Sequence, residues 1–368
     1  MQMKLLYMLI LATMILTKTD DALLLHQIVT PKHPHLQYIG RFDFSDPQRP
    51  KFAWTGSTIA LTFEGTFCKL LMRNFSEGQD KTGKPYANYF NIFIDGRLVK
   101  VLKAENNQSE YSIAENLPQG KHTVQIFKRT EALIGVCEFL GFQIDKKAKV
   151  LPVEQTASRK IEFIGDSITC GYGNEGDRQS CPFTPETENG QLAYAAITAQ
   201  NLEAEYITIC YSGKGLIQNY DKSKENTMPM LYQLIYPQST QKWDFQRWIP
   251  DAVCINLGTN DFAHAIPDST EFTKAYNILI DSILISYPKA SIFCLVGSML
   301  NGKNLQVIKS YIEQVLSHQR AKGNKKVYFF EMSAQGKVGY GCDWHPNTAQ
   351  HELNAKELTG FMKEKMNW

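Results

Sequence analysis

The sequence holds no apolar run long enough to cross a bilayer. Its longest, Leu5 to Leu16, counts twelve residues including Thr13, against the roughly 20 that a spanning helix needs. No Lys/Arg block stands out either: 39 basic residues face 37 acidic ones, for a net charge of +2. Nucleic-acid binders concentrate basic charge in a patch, so no nucleic-acid partner is expected. There is no Cys-x-x-Cys pair and no His/Cys cluster with zinc spacing, so neither a metal nor another cofactor is expected. Between residues 26 and 150 no helix-length amphipathic pattern occurs, which argues against a helical first half. Wholesale disorder is excluded, because 43% hydrophobic and 11% aromatic residues suffice to build cores.

What is present begins at the N-terminus. Lys4 precedes the Leu5–Leu16 run, which stops at Thr17, Lys18 and Asp20. A basic residue, a short apolar stretch and a polar exit describe a secretory signal, read here over residues 1–22 with cleavage near Ala22. The mature chain is expected to be secreted or periplasmic, without a membrane span. Export permits disulfides. Of the eight cysteines, Cys210, Cys254 and Cys294 sit inside apolar runs and read as buried thiols. Cys170 and Cys181 flank a polar, Gly-rich loop and are the candidate pair.

At 368 residues the chain has room for about two domains. Residues 26–150 read as β: TIALTF (58–63), FCKLLM (67–72), YFNIFI (89–94) and TVQIFK (123–128) are separated by turn signals such as Asp95-Gly96 and Glu64-Gly65. Short strands at this spacing suggest a sandwich, most simply a jelly roll. A polar stretch with Pro152, residues 147–159, reads as the linker, and a second domain follows over 158–368. There strands at 161–164, 206–210, 252–257, 292–296 and 327–330 alternate with helices at 191–202, 228–235, 271–286, 305–319 and 348–366. Five strands each followed by a helix describe a doubly wound α/β fold with a parallel sheet. Ligand sites in such sheets lie at the carboxyl ends of the strands.

Four of those ends carry chemistry. The first strand ends in Gly165-Asp166-Ser167, where a hydroxyl can be presented with its own backbone N–H facing a developing oxyanion. The second ends in Tyr211-Ser212-Gly213, where a glycine lets a backbone N–H approach a substrate oxygen. The third ends in Gly258-Thr259-Asn260-Asp261, whose asparagine offers a side-chain donor; Asp261 reads as turn chemistry. Before the last helix stands Gly341-Cys342-Asp343-Trp344-His345-Pro346-Asn347, which supplies a general base, His345, and a carboxylate, Asp343, that could orient it. Each segment alone is ordinary turn chemistry. Nucleophile, two donors and a base at the strand ends of one sheet are far less ordinary.

Together the blocks GDSITCGYGNEG (165–176), YSGKG (211–215), LGTND (257–261) and GCDWHPN (341–347) resemble the SGNH (GDSL-like) hydrolase superfamily. More narrowly the chain resembles carbohydrate esterase family 2, the two-domain polysaccharide deacetylases; WTGS (54–57), FIDGR (93–97) and GKHTVQIFKRTE (120–131) are similar to that family's jelly-roll domain. The resemblance implies a flavodoxin-like SGNH domain behind the jelly roll. It also implies that Ser167 is the nucleophile, that His345 is the base, and that Ser167 N–H, Gly213 N–H and the Asn260 side chain form the oxyanion hole. The superfamily usually places its acid three residues before the histidine, which here is Cys342. Family 2 shares the shorter spacing to Asp343, and some members rely on a backbone carbonyl instead.

The expected reaction is removal of O-acetyl groups from acetylated xylan or glucomannan through an acetyl-serine intermediate. Trp344 and Tyr172, beside the blocks, are candidate sugar-binding aromatics. Two other readings stand: a lipase or thioesterase acting on long acyl chains, which the polar, acidic loop 171–190 disfavours, and a carbohydrate-binding protein with a slow or inactive site. The oligomeric state is left open.

Overall fold

The computed structural model describes residues 25–80, 82–154 and 157–368; the signal segment at residues 1–22 lies outside them. The first half folds as two facing antiparallel sheets. One is ordered His26–Val29, Gly135–Asp145, Cys68–Ser76, Glu110–Ala114, with Lys51–Phe52 also paired to Gly135–Asp145. The other is ordered Lys149–Leu151, Thr58–Glu64, Lys121–Lys128, Asn88–Ile94, Arg97–Ala104, with Gln37–Ile39 also paired to Thr58–Glu64. Period-two patterning explains the pairing: in Cys68–Ser76 the residues Cys68, Leu70, Met72 and Asn74 are buried while their neighbours are not. Phe52, Phe63, Phe90, Phe139 and Phe142 fill the space between the sheets.

The sequence reading passed over the central strand Gly135–Asp145. Its buried residues alternate with partly exposed ones, but the register shift between Phe139 and Gly141 moves the buried set from Cys137 and Phe139 to Phe142 and Ile144, which breaks the period of two in mid-strand. The polar stretch 147–159 is not all linker. Lys149–Leu151 forms an edge strand against Thr58–Glu64, a position where polar side chains can face water.

The second half is a parallel sheet ordered Ala204–Cys210, Arg159–Gly165, Ala252–Asn256, Ser291–Val296, Val327–Glu331. The helices Tyr194–Asn201, Ser269–Ser286, Gly302–Ala321 and Thr348–Met366 cover it. Two expected helices are shorter. Residues 191–202 divide into a 3-10 turn, Gly190–Leu192, and the helix from Tyr194. Residues 228–235 keep one turn, Met228–Leu231. Pro229 suits a first turn, but the Arg41 guanidinium takes the carbonyls of Tyr232 and Leu234, and Leu234 bridges back to Lys242.

The two halves share a core. Ala53, Trp54 and Ala132 of the sandwich join the cluster under one face of the parallel sheet. The Trp54 indole donates to Ile235 O at 2.7 Å and the Thr208 hydroxyl to Thr55 O at 2.6 Å. Arg41 pairs with Glu162 at 3.0 Å with both side chains fully buried. The 3-10 turn Ala132–Ile134 places Leu133 in the wall of the cavity at the carboxyl ends of the parallel strands.

Candidate active site

Gly165 ends the first strand, and Ser167 opens a single helical turn, Ser167–Cys170. Asp166 caps that turn, its carboxylate accepting from Ile168 N at 3.0 Å. Burial pushes Asp166 up to about 7, with the charge of Asp261 adding to the rise. Ser167 is nearly buried, at 7% exposure. Its hydroxyl lies 2.9 Å from His345 Nε2.

His345 comes from a turn that reverses the chain ahead of the last helix. Asp343 and Trp344 both adopt left-handed backbone, φ 47° and 62°, a conformation non-glycine residues rarely hold without support. The support is hydrogen bonding to the turn's main chain: Asp343 N donates to Cys181 O at 2.9 Å, Trp344 N to Gln179 O at 3.2 Å, and the Gln335 side chain, through Nε2, to Trp344 O at 2.7 Å. One consequence is that the Asp343 carbonyl oxygen sits 2.9 Å from His345 Nδ1. The Asp343 carboxylate points elsewhere, accepting from Tyr172 OH at 3.1 Å and Phe183 N at 2.9 Å. The orienting group on the imidazole is thus a main-chain carbonyl, and the side-chain role expected of Asp343 is not what the structure shows. A carbonyl can only accept, so Nδ1 carries the proton and Nε2 presents its lone pair to Ser167. Burial lowers the His345 pKa against the opposing pull of Asp343, which keeps the ring neutral at neutral pH.

Gly213 follows the second strand with φ +77°, which its lack of a side chain permits. Its carbonyl accepts from Tyr220 N at 2.8 Å. Asn260 Nδ2 donates to Lys214 O at 2.9 Å and lies 3.4 Å from Asp166 Oδ2, a long contact. The second hydrogen is held only by this longer bond, the weaker of the two. Asp261, next to it, is more than a turn residue: its carboxylate takes the N–H groups of Leu216, Ile217 and Gln218 at 2.9, 2.7 and 3.0 Å and holds the loop beyond Gly213.

Ser167, Gly213, Asn260, Asp343, Trp344 and His345 all line one cavity of about 770 Å³, with Tyr172, Leu133, Ser212, Tyr220, Phe262 and Met299 also in its wall. Trp344 and Tyr220 are 57% and 59% exposed at the rim. Tyr172 behaves differently from the sugar platform expected of it. Its ring packs between Phe183 and His345, at centroid distances of 4.0 and 4.3 Å, and so buttresses the imidazole.

The disulfide is also different from expectation. Cys181 bonds to Cys342, while Cys170 is a buried free thiol. The helical turn that presents Ser167 carries Cys170 into the core beside Cys210, away from the loop. Cys342 occupies the place where the wider superfamily has its acid. The bridge ties loop 171–190 to the histidine turn, and Gly176 makes room for it, since a Cβ there would stand 2.4 Å from Cys342 Sγ. Cys210, Cys254 and Cys294 are buried free thiols, as their apolar surroundings foretold.

A hydroxyl on a neutral imidazole, beside three donors at strand ends, can carry out nucleophilic acyl transfer. Comparison with known proteins agrees. Residues 38–153 match the family Carbohydrate esterase 2 N-terminal, and residues 161–358 match GDSL-like Lipase/Acylhydrolase. A family two carbohydrate esterase from Clostridium thermocellum, solved in complex with cellohexaose, superposes with a TM-score of 0.85 at 41% identity, covering 90% of this chain and 99% of that one. The chain belongs to carbohydrate esterase family 2. As a family 2 esterase it is a hydrolase of the GDSL-like superfamily.

Cellulase/esterase CelE of Acetivibrio thermocellus is 42% identical over 337 residues, which are 91% of this chain but 40% of CelE; the chain spans well under half of that relative. An acetylxylan esterase / glucomannan deacetylase of Cellvibrio japonicus is 27% identical, over 92% of this chain and 91% of its own length. A secreted character is consistent with these esterases. Among the described residues no helix is long and apolar enough to cross a membrane. Reading the sequence missed Leu133, Tyr220 and Glu131, which reach the site from loops and from the sandwich. Of these only Glu131 lay within a segment already singled out, the KRTE end of residues 120–131.

Proposed function

We propose that this family 2 esterase removes O-acetyl groups from plant-type polysaccharides, acetylated xylan or glucomannan, after export under the signal segment at residues 1–22. The observation that carries the reading is the relay from Asp343 O through His345 to Ser167 Oγ, with both contacts at 2.9 Å, at the wall of a cavity rimmed by exposed Trp344. The substrate class is supported by the Cellvibrio japonicus relatives, whose activities are acetylxylan and glucomannan deacetylation.

In this mechanism His345 Nε2 takes the Ser167 proton as Oγ attacks the acetyl carbonyl carbon. The backbone N–H groups of Ser167 and Gly213 and the more weakly held hydrogen of Asn260 Nδ2, turned from Asp166 to the substrate, stabilise the tetrahedral oxyanion. Collapse expels the sugar alcohol, which leaves with the proton from His345. Water, deprotonated by the same nitrogen, then attacks the acetyl-serine, releasing acetate and restoring Ser167. Trp344 offers a ring face on which a sugar can stack.

The test is acetate release by residues 23–368 from acetylated xylan and acetylated glucomannan, with Ser167→Ala alongside. Release that the variant loses supports the reading. Ser167-dependent cleavage of an aryl acetate with no release from either polymer would retain the esterase and reject the substrates.

A further inference from the structure

The sandwich sends one carboxylate into the active-site half. Glu131 stands at the end of the KRTE segment, just before the turn Ala132–Ile134, and is fully buried. Its Oε2 accepts from Ser212 N at 2.7 Å, and its Oε1 takes the Ser212 hydroxyl in a very short hydrogen bond. Ser212 precedes Gly213 in the cavity wall, so both bonds fix the residue whose carbonyl carbon carries the Gly213 N–H. The following peptide, Gly213–Lys214, is held by Tyr220 N donating to Gly213 O.

Glu131 is itself anchored. Its N–H donates to Glu188 Oε2 at 2.9 Å, and the buried Lys128 ammonium donates to its carbonyl at 2.9 Å and to Thr130 O at 2.7 Å. Arg129, between them, donates to Glu188 O at 2.8 Å. Two carboxylates and an ammonium are thus taken out of water in one cluster. Such a cluster is costly to bury unless every charge is met by partners. Burial raises both carboxylates, and the facing Glu131 adds to the rise at Glu188. Glu188 is raised well above its ordinary value, while Glu131 has both carboxylate oxygens accepting from Ser212.

We infer that Glu131 is a positioning residue for the reaction, supplied by the sandwich, which sets the Gly213 N–H of the oxyanion hole through its double hydrogen bond to Ser212. The sandwich is thereby part of the catalytic apparatus and not only an accessory. The inference rests on the serine-esterase reading above. Its physical basis is that an oxyanion donor works only if it is already aimed when charge develops. A Gly213 loop without its anchor still binds substrate but must be ordered during the reaction.

The test uses the full mature protein and an aryl acetate, with active sites counted by the final extent of inactivation by an organophosphorus reagent. Glu131→Gln keeps the shape but turns one of the two acceptors into a donor. Its kcat per counted site is expected to fall about 10- to 100-fold, below the roughly 10² to 10³ for deleting a donor outright, with KM within about twofold. A boronic acid that forms a tetrahedral adduct should lose affinity in parallel, while acetate affinity stays unchanged. Ser212→Ala, which removes only the hydroxyl bond, should show a smaller loss of the same kind, and decides the matter if Glu131→Gln does not fold. A merely structural Glu131 predicts fewer competent sites with wild-type kcat per site and unchanged boronate affinity, and that result overturns the inference. Wild-type protein without Ser167-dependent hydrolysis would instead overturn the esterase reading itself.

Discussion

Asp343→Asn separates a backbone-oriented histidine from a carboxylate-oriented one. In a triad whose buried carboxylate selects the imidazole tautomer, the corresponding Asp→Asn change costs about 10⁴ in turnover, equivalent to about 5 kcal/mol. Here the acceptor on Nδ1 is the Asp343 carbonyl, which the substitution leaves in place. Asparagine also tolerates the left-handed backbone at this position, φ 47°. What changes is the acceptor for Tyr172 OH and Phe183 N, which loses its charge. A hydrogen bond to a charged partner contributes about 1.5–3 kcal/mol and a neutral one about 0.5–1.5. Two weakened bonds therefore cost roughly 2–3 kcal/mol in stability, and less in practice because the residue is only partly buried. Turnover of an aryl acetate should fall by less than about tenfold, a gap of about three orders of magnitude from the carboxylate case. Because the Asp343 charge raises the His345 pKa, its removal should also shift the acid limb of activity to lower pH. A loss of 10³ or more in folded Asp343→Asn would show that the carboxylate charge does the orienting and would refute the backbone assignment.

The remaining predictions concern the supports of the site. Replacing Cys181 and Cys342 by serine opens a bridge between residues 161 apart, for which chain entropy alone gives a ceiling of about 5 kcal/mol; urea unfolding should show a loss of a few kcal/mol, and unchanged stability would mean the loops hold without the bond. Activity should be retained below pH 6.5 and then fall as the pH drops through the lowered His345 pKa, since protonation removes the base; an acid limb centred above 6.5 on an aryl acetate would contradict the burial argument. Arg41→Met strands Glu162 in the core shared by the two halves, and breaking a buried pair costs about 3–5 kcal/mol; a change in midpoint equivalent to under 1 kcal/mol would show that Glu162 is neutral in the folded protein.

Much of this molecule is written in local pattern. Strands such as Thr58–Glu64 and Arg159–Gly165, and the helix Thr348–Met366, follow from periodicity and turn residues within a window of a dozen positions. Because parallel sheets place their sites at the carboxyl ends of strands, the sequence by itself also located Ser167, Gly213, Asn260 and His345, and all four line one cavity. Other features depend on segments far apart in the chain. Cys181 could have paired with any cysteine within reach, and only the fold brings it to Cys342 while burying Cys170. Whether Asp343 offers His345 its carboxylate or its carbonyl is decided by the left-handed turn, which is held in place by Cys181 O and Gln179 O. Glu131 meets Ser212 across 81 positions and the boundary between the two halves. Side-chain identity and spacing determine which groups a strand end can present; the direction each group faces, and what holds it there, come from tertiary contacts that no local window contains.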